Sequence, residues 1–198
     1  AGTGSDAIRV AMIYKPSRVA RSGAALSDTD AVNNRPTLAQ TFQMANGVNF
    51  SVLVNHLKSK GSCPSAGDAN AAGNTDAGDG QGCWNGLRTQ QAQRLRTFAS
   101  QVQTAAGSSD LLIIGDLNAY GQEDPVHALT SYGCVDEARR FAPASGFAYS
   151  YVFDGAAGRL DHLLSSSTLS AKVSGASALP RVRPNHSLNR THCGMRLK

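Results

Sequence analysis

Three short clusters in the sequence place ionisable or amide side chains beside apolar segments. They are Asn55-His56-Leu57-Lys58-Ser59, Gly115-Asp116-Leu117-Asn118-Ala119 and Arg159-Leu160-Asp161-His162. A carboxylate and a carboxamide two residues apart share one face of a strand. Together they can hold a hard cation, orient a water molecule and hydrogen-bond a phosphate oxygen. A histidine beside them titrates near neutral pH and can move a proton.

Each cluster also has a purely structural explanation. A histidine in a strand often only satisfies hydrogen bonds inside the protein. Asp116 and Asn118 fit a turn in which such side chains bond to the local backbone, and Asp161 could pair with Arg159 in a surface ion pair that contributes little. All three clusters adjoin apolar, strand-like segments, and this recurrence favours the chemical interpretation.

The elements expected to position these clusters include several short strands. Residues 8–14 predict a strand that ends before a proline, and the polar stretch from there to Pro36 predicts no element. Asn46-Gly47 is a hairpin signal, and it lies between the weakly alternating residues 37–43 and the apolar residues 50–57. Residues 111–115 (LLIIG) predict another buried strand.

Helices are expected between and after these strands. Residues 86–106 carry apolar side chains three and four residues apart, which predicts an amphipathic helix ending at Gly107. Asp124, as N-cap, with Pro125 at the first helical position predicts a second helix that ends at Gly133. Residues 149–153 and 159–165 predict two further strands. Strands and helices alternate, so the fold class is α/β.

Composition limits the class of protein. With 198 residues and 41% hydrophobic content, the chain is long enough for one globular domain. It contains no run of eighteen apolar residues that would span a membrane, and its first ten residues lack the pattern of a signal peptide.

The net charge of +5 is unevenly distributed. Residues 1–161 contain 13 Lys and Arg against 14 Asp and Glu, whereas residues 162–198 contain six basic residues and no acidic one. The end of the chain could be a nucleic-acid-binding arm, but a disordered or aberrant tail is the favoured interpretation.

Two of the four cysteines enclose a loop that cannot form a core. Cys63 and Cys83 flank a segment rich in Gly, Asn, Asp and Ala, and such a composition buries little apolar surface. A disulfide between them is the favoured interpretation, and it implies an oxidising compartment. A zinc site is the alternative, although the CxxC pattern and the neighbouring histidines typical of such sites are missing.

The ordered clusters resemble the endonuclease/exonuclease/phosphatase (DNase I-like) superfamily. Its signatures are a strand ending in H-L-x-S, a strand ending in G-D-[LF]-N and a later R-[LI]-D-[HY] strand. Here they correspond to His56-Leu57-Lys58-Ser59, Gly115-Asp116-Leu117-Asn118 and Arg159-Leu160-Asp161-His162. The flanking segments VAMIYKPSRV, GQEDPVHAL and YSYVFDGAAGRLDHLL, and the two-cysteine loop, resemble the secreted bacterial extracellular-nuclease branch. The resemblance covers roughly residues 6–177.

The resemblance implies a two-sheet α/β sandwich with the active site at one rim of its sheets. In that scheme Asp116 orients or deprotonates the attacking water, and Asn118 holds a phosphate oxygen or a metal-bound water. His56 contacts the scissile phosphate or moves a proton, and Asp161 orients a histidine of a later S-D-H motif. Asp116 and Asn118 are the expected ligands of Mg²⁺, Mn²⁺ or Ca²⁺. The expected substrate contacts are Asn55, Lys58 and Arg88.

Some elements of the family pattern have no counterpart in these 198 residues. The strand with Asn, the segment with the metal-binding Glu and the S-D-H motif are expected outside them. The two glutamates, Glu123 and Glu137, follow G-D-L-N, and Glu123 is expected to serve the start of a helix rather than a metal. We therefore expect a family domain over residues 1–177, incomplete at both ends, an atypical basic tail over residues 178–198, and little nuclease activity from the 198-residue chain alone.

Three functional readings follow. The preferred one is a secreted or periplasmic, monomeric, metal-dependent endonuclease acting on DNA, and also on RNA. The second keeps the catalytic centre but hydrolyses a phospholipid or an inositol phosphate, because the motifs act at the phosphate in both cases. The third is a nucleic-acid-binding remnant without activity.

Overall fold

The computed structural model describes residues 7–142, 149–153, 155–180 and 191–197. Ten strands and four helices alternate along these residues. The strands are β1 Val19–Asp28, β2 Thr37–Met44, β3 Asn49–His56, β4 Leu111–Asp116, β5 Val135–Asp136, β6 Tyr151–Phe153, β7 Ala156–Gly158, β8 Asp161–Ser165, β9 Val173–Pro180 and β10 Thr191–Leu197. The helices are α1 Asn85–Ala106, α2 Asp124–Thr130, α3 Glu137–Arg140 and α4 Ser167–Ser170.

Six of the strands form the central sheet, in the order β1-β2-β3-β4-β8-β5. β3 and β4 are parallel, and α1 lies in the connection between them, as a parallel pair requires. The neighbouring pairs β1–β2, β2–β3, β4–β8 and β8–β5 are antiparallel. The carboxyl ends of β3 and β4 therefore lie at the same edge of the sheet as the amino end of β8.

The core lies on both faces of this sheet. On one face α1 and α2 pack through Leu95, Phe98 and Leu129 against Leu53 and Ile113. Their near-complete burial removes this apolar surface from water, which is the main source of stability in such a domain.

The opposite face of the sheet packs against other segments. Phe42, Val52 and Leu163 point to this side, and Met12 near the amino end and Ala176 of β9 lie against them. β9 and β10 form a separate antiparallel ribbon. The α/β class expected from the sequence is confirmed, with α1 and α2 on one face of the large sheet and α4, β9 and the segment near Met12 on the other.

Several predicted elements are confirmed. The Asn46-Gly47 hairpin joins β2 to β3 with Gly47 at φ 83°, a backbone conformation that glycine adopts without strain. The predicted helix at residues 86–106 is α1, and Gly107 ends it in the left-handed conformation.

Other elements differ from expectation. Residues 8–14 form no strand, and Ile13 is almost entirely exposed; Met12 and Tyr14 contact the sheet face instead. The edge strand β1 was not predicted, because most of its side chains are exposed and backbone pairing with β2 carries no hydrophobic pattern.

The later elements also needed correction. Glu123, one residue earlier than expected, is the N-cap of α2. Residues 151–158 form the hairpin β6–β7, so the strand expected from residue 159 begins at Asp161. The boundary expected between residues 177 and 178 lies within β9, and the division into a family domain and a basic tail stays a prediction. Much of the basic tail expected over residues 178–198, namely residues 181–190 and residue 198, lies outside the described residues.

Candidate active site

Three strand ends bring the predicted residues into one row. His56, the last residue of β3, is the cross-strand partner of Asp116, the last residue of β4. Asp116 is in turn the partner of Asp161, the first residue of β8. Side chains at the same level of neighbouring strands lie about 5 Å apart, so the pairing sets His56, Asp116 and Asp161 side by side. We call these three residues the catalytic row.

The central member of the catalytic row is a carboxylate in an unfavourable place. Oδ2 of Asp116 lies 3.7 Å from Nε2 of His56. Burial raises the pKa of Asp116 to about 6, and the neighbouring negative charge of Asp161 adds to the increase. Asp116 therefore changes its charge close to neutral pH, which suits a group that accepts a proton or attracts a cation.

Asn118 completes the row from the loop after β4. Its backbone is left-handed, with φ 47°, a conformation that asparagine tolerates better than most residues. Its N–H donates to Oδ1 of Asp116 at 2.8 Å, and its side-chain Nδ2 donates to the carbonyl of Leu57 at 3.0 Å. The first bond fixes the backbone of Asn118 and the second fixes its side-chain amide. The side-chain oxygen Oδ1 receives no hydrogen bond from the described residues.

Gly115 explains why the motif needs glycine before the aspartate. A Cβ at this position would lie 2.0 Å from the carbonyl oxygen of Asn55 on β3, and the residue has φ 129°. Any side chain would push β3 and β4 apart at the level where His56 meets Asp116. Close approach of these two strands is thus a condition for the catalytic row.

A buried polar layer lies directly beneath the row. His162 is fully buried, and its Nε2 is 2.8 Å from the carbonyl oxygen of Ala119. Burial, followed by the charge of Arg159, lowers the pKa of His162 to about 4, so this histidine is neutral at physiological pH. A neutral ring that donates from Nε2 holds the loop containing Asn118 against β8.

Arg159 does not pair with Asp161. Its guanidinium makes a two-pronged ion pair with Asp136 of β5, so the carboxylate of Asp161 remains available in the row. Ser150 fixes the backbone here, since its hydroxyl accepts hydrogen bonds from the N–H groups of Leu160 and Asp161, both at 3.1 Å. The ion pair weighed as an alternative role for Asp161 is therefore formed by a different carboxylate.

Two residues expected to contact substrate are interior residues. Asn55 is 2% exposed, and its side chain accepts from the hydroxyl of Thr37 and donates to the carbonyl of Leu53. Arg88 is 0% exposed and donates to the carbonyls of Cys83 and Gln81. The expectation that Asn55 and Arg88 contact substrate is therefore corrected, and both side chains have structural roles. A sequence motif does not show whether a side chain points into the cleft or into the interior.

Lys58 remains at the surface beside the row. Its Nζ lies 4.5 Å from the ring centre of Trp84, and its N–H donates to the side chain of Gln91 on α1. The indole N–H of Trp84 donates to the carbonyls of Gly61 and Ser62. The chain that leaves β3 is thus fastened to α1 on one side and to the start of the cysteine loop on the other.

The cysteine loop is closed as expected. Cys63 and Cys83 form a disulfide with Cα atoms 5.3 Å apart. Lys60 extends from before the loop to Oε1 of Glu123 at 2.5 Å and to the carbonyl of Gln81 at 2.9 Å. Glu123 also faces Arg88 at 3.9 Å. Glu123 stands at the N-cap position of α2, but its side chain makes no capping hydrogen bond and lies between the cations of Lys60 and Arg88 instead.

The donor atoms at the row suit a hard cation but are few. Two carboxylates and an amide oxygen are the ligand types that Mg²⁺ prefers, and Mg²⁺ binds through one or two protein carboxylates while keeping several waters. In the part of the chain that the structure describes, no three His, Cys, Asp or Glu side chains group closely enough to hold a metal by themselves. Asp116 and Asn118 supply oxygen atoms of the type that a hard divalent cation binds, and water would have to complete the shell of such an ion.

The site also contains residues whose roles the sequence did not indicate. Arg35 donates to the carbonyl of Leu57, and its positive charge lowers the pKa of Asp116 against the effect of burial. Gln91 donates to Val32 and Asn34 from the helix, which holds the segment carrying Arg35. Gln91 belongs to a helix segment, with Arg88 and Ala92, that also resembles the family, whereas no motif marks Arg35, whose proximity to the row arises from the packing of α1 and the segment before β2.

The fold and the row define a DNase I-like domain, and comparison with known proteins gives its family. The chain belongs to the endonuclease/exonuclease/phosphatase family, whose model matches residues 8–184. This family consists largely of hydrolytic enzymes, among them nucleases and phosphatases, and its members commonly use divalent metal ions. No curated protein matches the chain.

Solved structures support the same fold. The human Nocturnin catalytic domain with bound sulfate is 19% identical with a TM-score of 0.61, covering 92% of this chain and 61% of that one. Zebrafish (D. rerio) TDP2 complexed with single-stranded DNA product is 15% identical with a TM-score of 0.56, covering 85% and 63%. The mannosyl-6-phosphatase Bt3783 of Bacteroides thetaiotaomicron is 12% identical with a TM-score of 0.52, covering 86% and 62%. The chain spans about three fifths of the length of these structures.

No helix among the described residues combines the length and the apolar character needed to cross a membrane.

Proposed function

We propose that this chain carries the catalytic row of a divalent-metal-dependent phosphodiesterase that cuts DNA as an endonuclease, with RNA as a second substrate. The observation that carries the proposal is the register of β3, β4 and β8, which aligns His56, Asp116 and Asp161. Together with Asn118, this row offers a base, hydrogen-bond donors and cation ligands around one point at the rim of the sheet.

Each residue has a role that its surroundings support. Asp116, with a pKa of about 6, accepts the proton of the attacking water as the oxygen approaches phosphorus. Asn118, fixed through Asp116 and Leu57, binds a non-bridging phosphate oxygen or a metal-bound water. His56, 26% exposed, contacts the scissile phosphate and protonates the leaving oxygen. Asp161 orients a further proton-transferring group, as the family resemblance implies.

We assign Asp116 and Asn118 as protein ligands of the divalent ion, with Mg²⁺ preferred and Mn²⁺ or Ca²⁺ as alternatives. When bound, such an ion stabilises the negative charge that develops on the phosphate oxygens. The mutual repulsion of Asp116 and Asp161 is the feature of this chain that a cation would relieve.

A secreted bacterial origin is part of the proposal. The disulfide between Cys63 and Cys83 is typical of proteins folded outside the reducing cytosol. The disulfide closes a loop next to Lys60, which lies four residues after His56, the last residue of β3. Oxidation therefore fixes the position of the chain that leads away from the catalytic row.

Supercoiled-plasmid nicking tests the proposal. We would compare the 198-residue chain with the product of its complete reading frame, in Mg²⁺, Mn²⁺ and Ca²⁺, each with and without EDTA. We expect nicking that EDTA abolishes from the product of the complete reading frame, and little from the 198 residues alone. Bis(p-nitrophenyl) phosphate should be cleaved in preference to p-nitrophenyl phosphate, because the former is a diester.

The control is Asp124→Asn, a carboxylate at the start of α2 that is bonded to Asn85 and lies outside the row. It should nick at the wild-type rate. Absence of nicking by the product of the complete reading frame in all three metals, or its cleavage of the monoester only, would remove DNA hydrolysis as the function.

A further inference from the structure

The hairpin formed by β6 and β7 exposes aromatic rings beside the catalytic row. Tyr151 and Phe153 are two residues apart on β6, so they share one face of the strand. Their rings are nearly parallel, with centres 6.3 Å apart and planes inclined by 12°. Phe153 is 64% exposed. Single exposed apolar side chains are common on protein surfaces. Here two aligned aromatic rings lie together at the edge of the candidate site, and they offer a flat surface on which another ring can stack.

Hydrogen bonds of Ser150 fix the position of the hairpin relative to the row. The N–H of Ser150, just before β6, donates to the carbonyl of Gly158 at the end of β7. The hydroxyl of Ser150 accepts from the N–H of Asp161. One side chain therefore links the base of the hairpin to the first residue of β8, so the distance from the rings to Asp161 is set by a few fixed bonds.

Tyr120 connects the hairpin to the other side of the row. It follows Asn118 by two residues, and a Cβ at Gly158 would lie 2.3 Å from its Cε1, so the Tyr120 ring lies directly on the hairpin. Nζ of Lys60 lies 5.1 Å from the centre of the same ring. Tyr120, which packs on Gly158 of β7, and the stacked pair Tyr151 and Phe153 of β6 together form what we call the aromatic surface.

A cavity adjoins Tyr120 and the β7 side of the hairpin. It measures ≈ 610 Å³ and is lined by Tyr120, Gly158 and Gln122, with Arg139 at its side. In the described part of the chain, no ion pair or side-chain hydrogen bond involves the guanidinium of Arg139, unlike that of Arg159, which is held by Asp136. A volume of this size accommodates a nucleotide-sized ligand, and a free guanidinium binds phosphate.

We propose that the aromatic surface and Arg139 form a subsite for an unpaired nucleic-acid strand, in which bases stack on the rings and a backbone phosphate contacts Arg139. The inference rests on the proposed function and specifies its substrate class. Bases offer their faces to aromatic side chains only where the strand is not paired. A duplex presents its phosphates and groove edges instead, which stacked rings on a hairpin do not match.

Binding without hydrolysis tests the proposal. Fluorescence anisotropy in EDTA would measure the affinity of the full chain for fluorescein-labelled dT12 and for a labelled 12-base-pair duplex. Phe153→Ala should weaken binding of dT12 by about tenfold, which is the range of one lost base stack. The affinity for the duplex should change by less than twofold. Phe153→Tyr should retain wild-type affinity for dT12, since the ring is kept.

Arg139→Gln should weaken dT12 binding and make it less dependent on salt, because one phosphate contact is lost. The matched control is Tyr132→Ala, which removes an exposed ring covered by Arg96. Tyr132 lines a cavity together with Leu111, at the end of β4 opposite Asp116. This variant should bind both nucleic acids as wild type does.

Three results would overturn the inference. They are an equal loss for dT12 and the duplex in Phe153→Ala, no loss for either, and no binding of dT12 by the wild-type chain. The assay is independent of catalysis. Discrimination by Phe153, combined with no plasmid nicking by the product of the complete reading frame, would remove the proposed hydrolysis and keep the subsite. Nicking that is accompanied by unchanged dT12 binding in Phe153→Ala would remove the subsite alone.

Discussion

The catalytic row and the polar layer beneath it contain the same residue types in opposite conditions. His56 in the row is partly open to solvent and faces Asp116, whereas His162 below it is fully buried and faces a backbone carbonyl. The first can exchange protons with a bound ligand. The second is kept neutral by burial and Arg159, so it serves as a fixed hydrogen-bonding group.

The carboxylates show the same difference. Asp116 and Asp161 are cross-strand neighbours, and the charge of Asp161 raises the pKa of Asp116. Asp136 and Glu123 in the lower layer are neutralised by Arg159 and Lys60. Satisfied charges hold structure together, and unsatisfied ones mark the place where a ligand belongs. Residue type alone does not distinguish a structural carboxylate from one in a candidate site, but the charged groups that surround it do.

The largest effect should follow from removing the centre of the row. Asp116→Ala in the catalytically complete protein should lower the nicking rate by at least about 10³-fold, because a positioned base or metal ligand in phosphoryl transfer contributes several kcal/mol to the transition state. Initial rates on supercoiled plasmid at saturating Mg²⁺ measure this. Activity within tenfold of wild type would place the reaction elsewhere.

Removing the buried carboxylate of Glu123 should lower the free energy of unfolding rather than the activity. Glu123→Ala leaves the buried Arg88 without its counter-charge, and an uncompensated buried charge costs about 3–5 kcal/mol. Urea unfolding should show this loss, whereas Glu123→Gln should lose less because it still accepts from Lys60. Turnover per folded molecule should stay near wild type in both. A large loss of turnover in the folded fraction would move Glu123 into the active site.

Opening the cysteine loop should cost somewhat less. Cys63 and Cys83 are 20 residues apart, and a cross-link over such a loop stabilises by about 3 kcal/mol. The double variant Cys63→Ser/Cys83→Ser should lose that amount in urea unfolding. Cys134→Ser provides the control, since Cys134 is a free thiol and its replacement leaves the loop closed. Equal stability of the double variant and wild type would show that Lys60 and Trp84 alone hold the loop.

The sequence predicts those parts of the fold and of the candidate site that depend on local patterns. His56, Asp116 and Asp161 could be found because each follows or begins an apolar strand, and strand ends in an α/β sheet meet at an edge. The hairpin at Asn46-Gly47 and helix α1 were predictable from turn chemistry and helical spacing. These features depend on local patterns, which one sequence contains.

The remaining features depend on tertiary contacts. Nothing beside Arg88 in the sequence indicates that it would be buried by the carbonyls of Gln81 and Cys83. The exposed edge strand β1 lacks a hydrophobic pattern, and residues 8–14 have the pattern without a strand partner in the described chain. Arg35 acts on Asp116 across the fold. Such pairings are set by packing, and residue spacing does not encode them.

The smallest predicted effect is on stability and comes from the raised pKa of Asp116. Replacing this residue should lower activity but raise the free energy of unfolding. The pKa of Asp116 is raised from 3.8 to about 6 on folding, so the folded state binds this proton more tightly than the unfolded state. The resulting stabilisation is complete below pH 3.8 and is lost as pH rises through about 6. At pH 7.5 the ionised carboxylate therefore destabilises the metal-free fold.

Asp116→Asn should thus raise the free energy of unfolding in EDTA at pH 7.5, while the difference from wild type should vanish near pH 4. The side chain is 36% exposed, and solvent screening reduces the gain to about 1 kcal/mol, which corresponds to a rise in melting temperature of about 2–4 °C. Asp161→Asn should give a smaller gain, since it removes the secondary cause of the raised pKa. Thermal unfolding at both pH values measures these differences. Lower stability of Asp116→Asn at pH 7.5 would show that His56 and Arg35 already neutralise the carboxylate, and the row would then have no unsatisfied charge for a cation to balance.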